Sequence, residues 1–170
     1  LGYARTLDVL GRSGKFAMAV PHLWLSGSGE FNGQPVDRQV TGFGDPTFSF
    51  SMNLYGAPAL TLQEFQSYKP DWIMGASVRV AVPLGQYESD KLLNIGPNRW
   101  SVKPELGISK TLADWTLELA PGIIFFTDNN DFFGGKRREQ DPIYAFQAHL
   151  SYTFRPGMWA AIDGTYYGGG

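Results

Sequence analysis

Apolar and polar residues alternate with a period of two through the stretch from Arg99 to Phe126. Strict alternation of this kind predicts a β-strand with one apolar and one polar side. The pair Ala113-Asp114 interrupts the pattern, which then resumes, so we predict a hairpin of two long strands. Each strand exceeds the roughly 5 to 6 residues usual in soluble sheets and reaches the roughly 9 to 11 that a tilted strand needs to cross a bilayer.

The same alternation recurs along the chain and predicts an antiparallel, up-and-down all-β fold. The predicted strands lie near residues 2–10, 15–28, 42–55, 71–84, 99–112, 115–127, 141–154 and 158–167. Which way the second strand faces is ambiguous, and we expect local bulges at Pro21, Pro104 and Pro121, because proline cannot donate to a strand ladder. Between strands, Thr61-Leu62-Gln63-Glu64 has the spacing of a capping box and predicts a short helix near residues 62–68.

The predicted connections fall into two groups by length. Short turns are expected at 11–14, 113–114 and 155–157, a helical connection at 56–70, and long loops at 29–41, 85–98 and 128–140. Short turns at one end and long loops at the other are typical of outer-membrane β-barrels, whose short turns are periplasmic. The first strand would then begin, and the last strand would end, on the outer side of the membrane. The chain of a complete bacterial barrel normally begins and ends in the periplasm. We therefore expect residues 1–170 to be one β-barrel domain excerpted from a larger barrel.

Composition agrees with this class. Aromatic residues make up 15% of the chain and charged residues 18%, against roughly 25% charged in typical soluble proteins. The net charge of −2 argues against a nucleic-acid partner. There is no cysteine, no segment resembling a signal peptide, and no apolar run near the roughly 18 residues of a membrane helix.

Aromatic side chains stand at both ends of the predicted apolar faces. Such rings are typical of the two interfaces of a bilayer, so we expect contact with outer-membrane lipids. The alternative is a soluble lipocalin-like barrel or sandwich, in which the apolar face points inward. The predicted interface residues are Trp72, Trp100, Trp115, Tyr144, Tyr152 and Phe154.

Ionisable residues on the predicted polar faces are the candidate functional residues. Inside a barrel they would set the polarity and selectivity of a pore, whereas paired charges could equally hold the lumen shut as a plug. One pair is specific, because the predicted register places His149 opposite Asp163. The candidate lumen-lining residues are Arg79, Arg99, Lys103, Glu105, Glu118, His149 and Asp163.

Catalytic and metal-binding patterns are weak. Asp128-Asn129-Asn130-Asp131 is a turn rather than a calcium loop, because Phe132 falls where an EF-hand needs an acceptor. His22 and His149 are not clustered with other ligands, and no serine lies in a nucleophile elbow. We expect no enzyme, cofactor or metal, with an outer-membrane lipase as the alternative.

Several segments resemble a known family. They are GDPTFSFSMNLYGAPALTLQEF, ASVRVAVPLGQYESDKLLNIGPNRWSVKPELGISK, LELAPGIIFFTDNNDFFGG and DPIYAFQAHLSYTFRPGMWAAIDGTYYGGG. Over about residues 40–170 the chain resembles the Gram-negative outer-membrane family labelled "MetA-pathway of phenol degradation". This resemblance implies an outer-membrane barrel of about twelve strands that passes small aromatic or hydrophobic molecules, and it carries over no catalytic residue. The alternatives are a non-conducting structural or adhesive barrel and a soluble ligand-binding barrel.

Overall fold

The computed structural model describes residues 1–31 and 33–170, which form strands and one short helix. The strands are β1 (Gly2–Val9), β2 (Arg12–Ala19), β3 (His22–Phe31), β4 (Gln34–Phe43), β5 (Thr47–Tyr55), β6 (Trp72–Ala81), β7 (Ser101–Leu112), β8 (Trp115–Phe126), β9 (Asn129–Phe132), β10 (Lys136–Arg138), β11 (Ile143–Arg155) and β12 (Met158–Gly169). The helix is α1 (Leu62–Ser67).

Eight of these strands form one sheet in the order β1-β2-β5-β6-β7-β8-β11-β12. All neighbours in this sheet are antiparallel. The other strands form two separate hairpins, β3-β4 and β9-β10, which lie in the connections at one end of the sheet. The sheet is therefore an up-and-down meander, as the alternation predicts, with two hairpins added beyond its strand ends.

The prediction of one strand over residues 15–28 is wrong. β2 ends at Ala19 and β3 begins at His22, and the two strands belong to different sheets. Pro21 has no amide hydrogen and cannot continue the ladder, while its carbonyl accepts a hydrogen bond from the Gly44 amide at 2.9 Å. This proline ends one strand rather than making a bulge within it.

The predicted loop over residues 29–41 is also wrong, because most of it is the β3-β4 hairpin, paired from His22↔Phe43 to Phe31↔Gln34. Glycine and polar residues interrupt its apolar side, on which Leu25, Val36 and Val40 lie, so the alternation is too weak to indicate a strand from the sequence. Asn32, which the predicted loop included, lies outside the described residues. As a further consequence the next strand begins at Thr47 rather than at residue 42.

Smaller corrections concern the other connections and the prolines. The predicted loop 128–140 contains the β9-β10 hairpin, which turns at Gly134 and Gly135 with positive φ angles of 71° and 73°. The register is unshifted through Pro104 and Pro121, so these are not bulges. Register shifts occur instead near the short turns, between Asn53 and Tyr55 and between Thr153 and Arg155.

The connection between β5 and β6 contains the predicted helix, within one residue of the expected range. The Glu64 amide donates to the Thr61 hydroxyl at 3.4 Å, and the Thr61 amide donates to the Glu64 carboxylate at 2.8 Å. This reciprocal capping begins the helix, which ends before Tyr68. Within the described residues, no helical segment has the length and apolarity needed to span a bilayer.

The two faces of the main sheet differ in chemistry. Phe16, Phe50 and Val78 are cross-strand neighbours in one row, and we call the face that carries these apolar residues the apolar face. Its side chains are exposed, with Leu106 at 58% and Phe50 at 38%, and Ala145 is the one buried hydrophobic residue among those described. A soluble barrel would bury this face inside, whereas so large an exposed apolar surface requires a partner such as lipid.

The contrast between the two faces can be tested on adjacent residues of β5. Phe50→Arg places a charge on the apolar face and should destabilise membrane insertion by about 2 to 4 kcal/mol if the residue meets mid-bilayer lipid. Ser49→Arg, on the opposite face, should cost much less. Denaturant titrations of the full-length protein in lipid vesicles measure both, and equal costs would contradict a lipid-facing Phe50.

The two ends of the sheet can be distinguished by labelling in intact cells. We expect Asp90→Cys, in the connection between β6 and β7, to react with an impermeant maleimide because it lies at the end with the long connections. Asp114→Cys, in the short turn between β7 and β8, should react only after the outer membrane is opened. The two variants are made in a background without other cysteines, and reaction of both in intact cells would contradict this topology.

Candidate functional site

The face opposite the apolar face is rich in hydroxyl and charged groups, and we call it the polar face. Pairing aligns its residues in rows across neighbouring strands. One row contains Ser49, Arg79 and Lys103, on β5, β6 and β7. The next row toward the short turns contains Ser51, Ser77 and Glu105 on the same strands. Because the side chains alternate between faces, each row of the polar face lies between two apolar-face rows.

The basic row contains one paired and one unpaired cation. Arg79 and Lys103 are direct cross-strand neighbours, an arrangement that like charges disfavour. The Lys103 ammonium turns toward Glu105, 2.5 Å from Oε2, and this pair is largely covered, with side-chain exposures of 13% and 21%. The approach is off the direction of a hydrogen bond, so we treat the contact as an ion pair. Arg79 is exposed and makes no ion pair within the described part of the chain.

A second cluster lies closer to the short turns. One row crosses four strands through Ser109, Glu118, His149 and Asp163. Nδ1 of His149 lies 2.5 Å from Oδ1 of Asp163, so the predicted juxtaposition of these two residues is present. Glu118 is exposed and has no ion-pair partner among the residues described.

Two shallow cavities meet at Glu118. The first, of about 210 Å³, is lined by Glu118, His149 and Asp163 together with neighbouring residues of β8, β11 and β12. The second, of about 260 Å³, extends toward Asn53 and Gly75 on β5 and β6. The Glu118 side chain therefore borders open space on both sides of its strand.

The sequence patterns missed two charged residues on the polar face. Lys15 on β2 pairs with Ser51 and so belongs to the row of Ser77 and Glu105. Asp8 on β1 lies on the same face, where its carboxylate accepts a hydrogen bond from the Gly11 amide at 2.7 Å. Lys15 lies in the second predicted strand, whose facing was ambiguous, and the alternation of Phe16 and Met18 was the signal that could have assigned it.

Arg99 differs from the other candidates, because it precedes β7 and is only 7% exposed. Its guanidinium lies 4.4 Å from the ring centroid of Phe126 and donates to the side-chain oxygen of Gln140. Nε and Nη1 have no hydrogen-bond partner within the described residues. Burial, followed by the charge of Arg138, lowers the pKa of Arg99. The structure therefore places Arg99 inside the packing at the strand end rather than on an open wall.

The long connections form one hydrogen-bonded layer, which we call the loop cap, and Asn129 lies at its centre. Asn129 is 1% exposed. Its amide nitrogen donates to the Tyr87 hydroxyl at 2.9 Å and to the Pro97 carbonyl at 3.1 Å. Its amide oxygen accepts from Asn98 at 3.2 Å and from the Asp131 backbone at 3.0 Å. One side chain thus joins two loops that are far apart in sequence.

Arg38 joins the β3-β4 hairpin to the same cap. Its guanidinium donates to the Glu88 carboxylate at 2.8 Å and to the Leu93 carbonyl at 3.3 Å. The hydrogen bond from Arg38 lowers the pKa of Glu88. Nearby, Asp45 accepts from the Gly85 amide at 2.8 Å, and burial raises the pKa of this carboxyl group. The connection between β6 and β7 therefore contacts both of the other long connections.

The six predicted interface aromatics share the apolar face. Near the short turns the rings of Trp115 and Tyr152 are 4.7 Å apart, and Phe154 packs on Tyr152 at 4.9 Å. Lys110, on the same face, forms an ion pair with Asp71 and lies 5.0 Å from the Trp72 ring. Trp100 and Tyr144 lie at the opposite ends of their strands, beside the long connections.

A meander of long antiparallel strands with an exposed apolar face and a charged polar face defines part of an outer-membrane β-barrel. The family described as "Putative MetA-pathway of phenol degradation" matches residues 3–170. The chain belongs to this family, so the resemblance drawn from the sequence is confirmed.

Comparison with solved structures gives the same architecture. The chain is similar to the crystal structure of an outer membrane channel from Pseudomonas putida F1, with a TM-score of 0.76 and 25% sequence identity. The match covers 99% of this chain and 59% of that channel, so the chain spans less than two thirds of this relative. The predicted partial antiparallel barrel and outer-membrane location are confirmed. No curated protein matches the chain.

The role of Asn129 in the loop cap can be tested by truncation. Asn129→Ala removes the contacts to Tyr87 and Pro97 and leaves buried polar groups unpaired, at a cost of about 1 to 3 kcal/mol. We expect faster cleavage of the long loops by an external protease, with unchanged strand content. Asn130→Ala, at an exposed neighbouring position, is the matched control. Equal protease resistance of both variants would show that Asn129 does not hold the cap together.

Proposed function

We propose that this chain forms part of the wall of an outer-membrane channel whose lumen is lined by the polar face. The observation that carries this proposal is the unpaired, exposed Arg79 guanidinium on a serine-rich face of a sheet similar to a known channel. Charged side chains on the inner wall of a barrel determine which solutes pass. The proposed lumen-lining residues are Arg79, Lys103, Glu105, Glu118, His149 and Asp163, to which we add Lys15. Arg99, which the sequence pattern placed in this set, is buried, and its proposed role is to support the end of the wall.

Within this lining, the residues have different proposed roles. Arg79 and Glu118 present unpaired charge to permeants, whereas Lys103 and Glu105 largely neutralise each other at 2.5 Å. Arg99 acts from the end of the lumen, where its cationic group supports the junction between β7, β8 and the Gln140 segment. Small aromatic or hydrophobic molecules are the proposed permeants, a choice supported by the family description.

The apolar face has a complementary role in this proposal. Trp72, Trp115, Tyr152 and Phe154 lie at the interface near the short turns, and Trp100 and Tyr144 lie at the opposite interface. Rings with an apolar body and a polar edge favour the headgroup region of a bilayer. The Lys110 ammonium reaches past Trp72 to Asp71, as expected for a basic side chain at the edge of the apolar region.

A second candidate function is a non-conducting barrel in which the long loops make the biologically important contacts. The observation that favours it is the loop cap, because Arg38 and Asn129 tie three connections together over the strand ends. A rigid layer at this position could present a binding surface while it closes the lumen. Conductance measurements separate the two candidates directly.

The channel proposal predicts a change in ion selectivity when the basic row is neutralised. We expect the full-length Arg79→Gln/Lys103→Gln variant to shift toward cations in planar-bilayer recordings, because the remaining wall carries acidic groups. Arg5→Gln is the matched control, since Arg5 pairs with Phe16 and lies on the apolar face. It should leave selectivity unchanged.

Folding has to be measured separately in this experiment. Lys103→Gln leaves Glu105 without its partner, and an uncompensated charge destabilises a largely covered site. Circular dichroism and denaturant titration identify a folding defect. A double variant that folds normally but keeps both its ion selectivity and its uptake of small aromatics would contradict the channel-lining role of Arg79 and Lys103.

A further inference from the structure

The charged residues of the polar face are separated by sign along the strands. Toward the long connections, Arg79 and Lys103 occupy one row. Toward the short turns, the row of Glu118 and Asp163 is acidic apart from His149. Asp8, one row nearer the middle, adds a carboxylate to the same half. Arg155 stands apart from these rows, beyond a register shift and next to the final turn.

Pairing within each half leaves a net charge of one sign. In the basic half, Lys103 is neutralised by Glu105, and the guanidinium of Arg79 remains. In the acidic half, Asp163 contacts His149 at 2.5 Å, and the carboxylate of Glu118 remains. Neither Arg79 nor Glu118 has an ion-pair partner within residues 1–31 and 33–170. Lys15 and Asp8 are diagonal neighbours of opposite charge on β2 and β1 and offset each other. Arg79 and Glu118 therefore determine the sign of each half.

The two halves are far enough apart to act independently. Lys103 marks the basic row on β7, and Ser109 of the same strand pairs with Glu118. The six-residue separation corresponds to about 20 Å along the strand, or about 15 Å along the axis of a barrel whose strands tilt by about 40°. The Debye length is about 8 Å at physiological ionic strength. Screening therefore keeps each charged zone from cancelling the other.

We infer that the lumen wall is bipolar, with a basic zone at Arg79 and an acidic zone at Glu118 that together favour uncharged permeants. This inference rests on the proposed channel function and deepens it by naming the class of permeant. An ion of either sign meets one zone of its own charge, whereas a neutral molecule meets no such barrier. Each zone also concentrates its own counter-ion. The direction of the applied voltage therefore changes the concentration of ions at the boundary between the two zones, and with it the current.

The electrical consequence is a current that depends on voltage polarity. Single-channel recordings of the full-length protein in about 0.1 M KCl should show larger current at one polarity than at the other. In about 1 M KCl, where the Debye length falls to about 3 Å, this rectification should be strongly reduced. Recording single channels fixes the orientation of the molecule under observation.

Two single variants should shift selectivity in opposite directions. Glu118→Gln removes the acidic zone and should shift the reversal potential in a KCl gradient toward anions, with loss of rectification. Arg79→Gln should shift the reversal potential toward cations, also with loss of rectification. Arg79→Gln/Glu118→Gln should conduct without rectification and with little selectivity, and Arg5→Gln on the apolar face should behave as the wild type.

A second substitution tests the acidic zone independently, in case Glu118→Gln does not fold. Ser109→Lys places a cation beside Glu118 and neutralises the acidic zone while the carboxylate remains, so its shift should match that of Glu118→Gln. If the wild type carries no current, the channel proposal fails and the bipolar inference fails with it. If the wild type conducts without rectification, or if Arg79→Gln and Glu118→Gln shift selectivity in the same direction, the channel stands and the bipolar wall is refuted.

Discussion

Backbone hydrogen bonding is the constraint on which this structure depends. Inside a bilayer no water is available to pair with an exposed amide or carbonyl, so each membrane-crossing strand has to pair with neighbours. The antiparallel ladder meets this requirement for the strands between β1 and β12, whose own outer edges have no strand partner within the described residues. Its register passes without a shift through Pro104 and Pro121, although each proline lacks a donor. Maintaining pairing is what holds the apolar and polar side chains on separate faces.

The separation of faces explains why the chain has so little conventional core. Large apolar side chains such as Leu106 are exposed, because their partner is lipid rather than protein. Specific contacts are concentrated instead on the polar face and in the loop cap. There the ion pair of Lys103 with Glu105 and the hydrogen bonds of Asn129 organise the groups that a permeant would encounter.

The polar face and the loop cap have different roles in the proposed channel. In the proposed channel, the wall would provide charge in separate zones, and the cap would lie over the end of the lumen with the long connections. Arg99 belongs to both regions, because it precedes β7 and contacts Phe126 on the wall and Gln140 in the adjoining connection. Its burial without a carboxylate partner among the described residues distinguishes it from Arg79, whose guanidinium faces open space.

The alternation of residues by itself determined the two faces, the β7-β8 and β11-β12 hairpins, and the position of His149 opposite Asp163. These features are local, because side chains alternate with a period of two and a tight turn specifies the register of its two strands. The contact of the β3-β4 hairpin with the neighbouring loop, the burial of Arg99 and the central place of Asn129 were decided only by the tertiary structure. They depend on partners distant in sequence, such as Glu88 for Arg38 and Tyr87 for Asn129, and no local periodicity encodes such contacts.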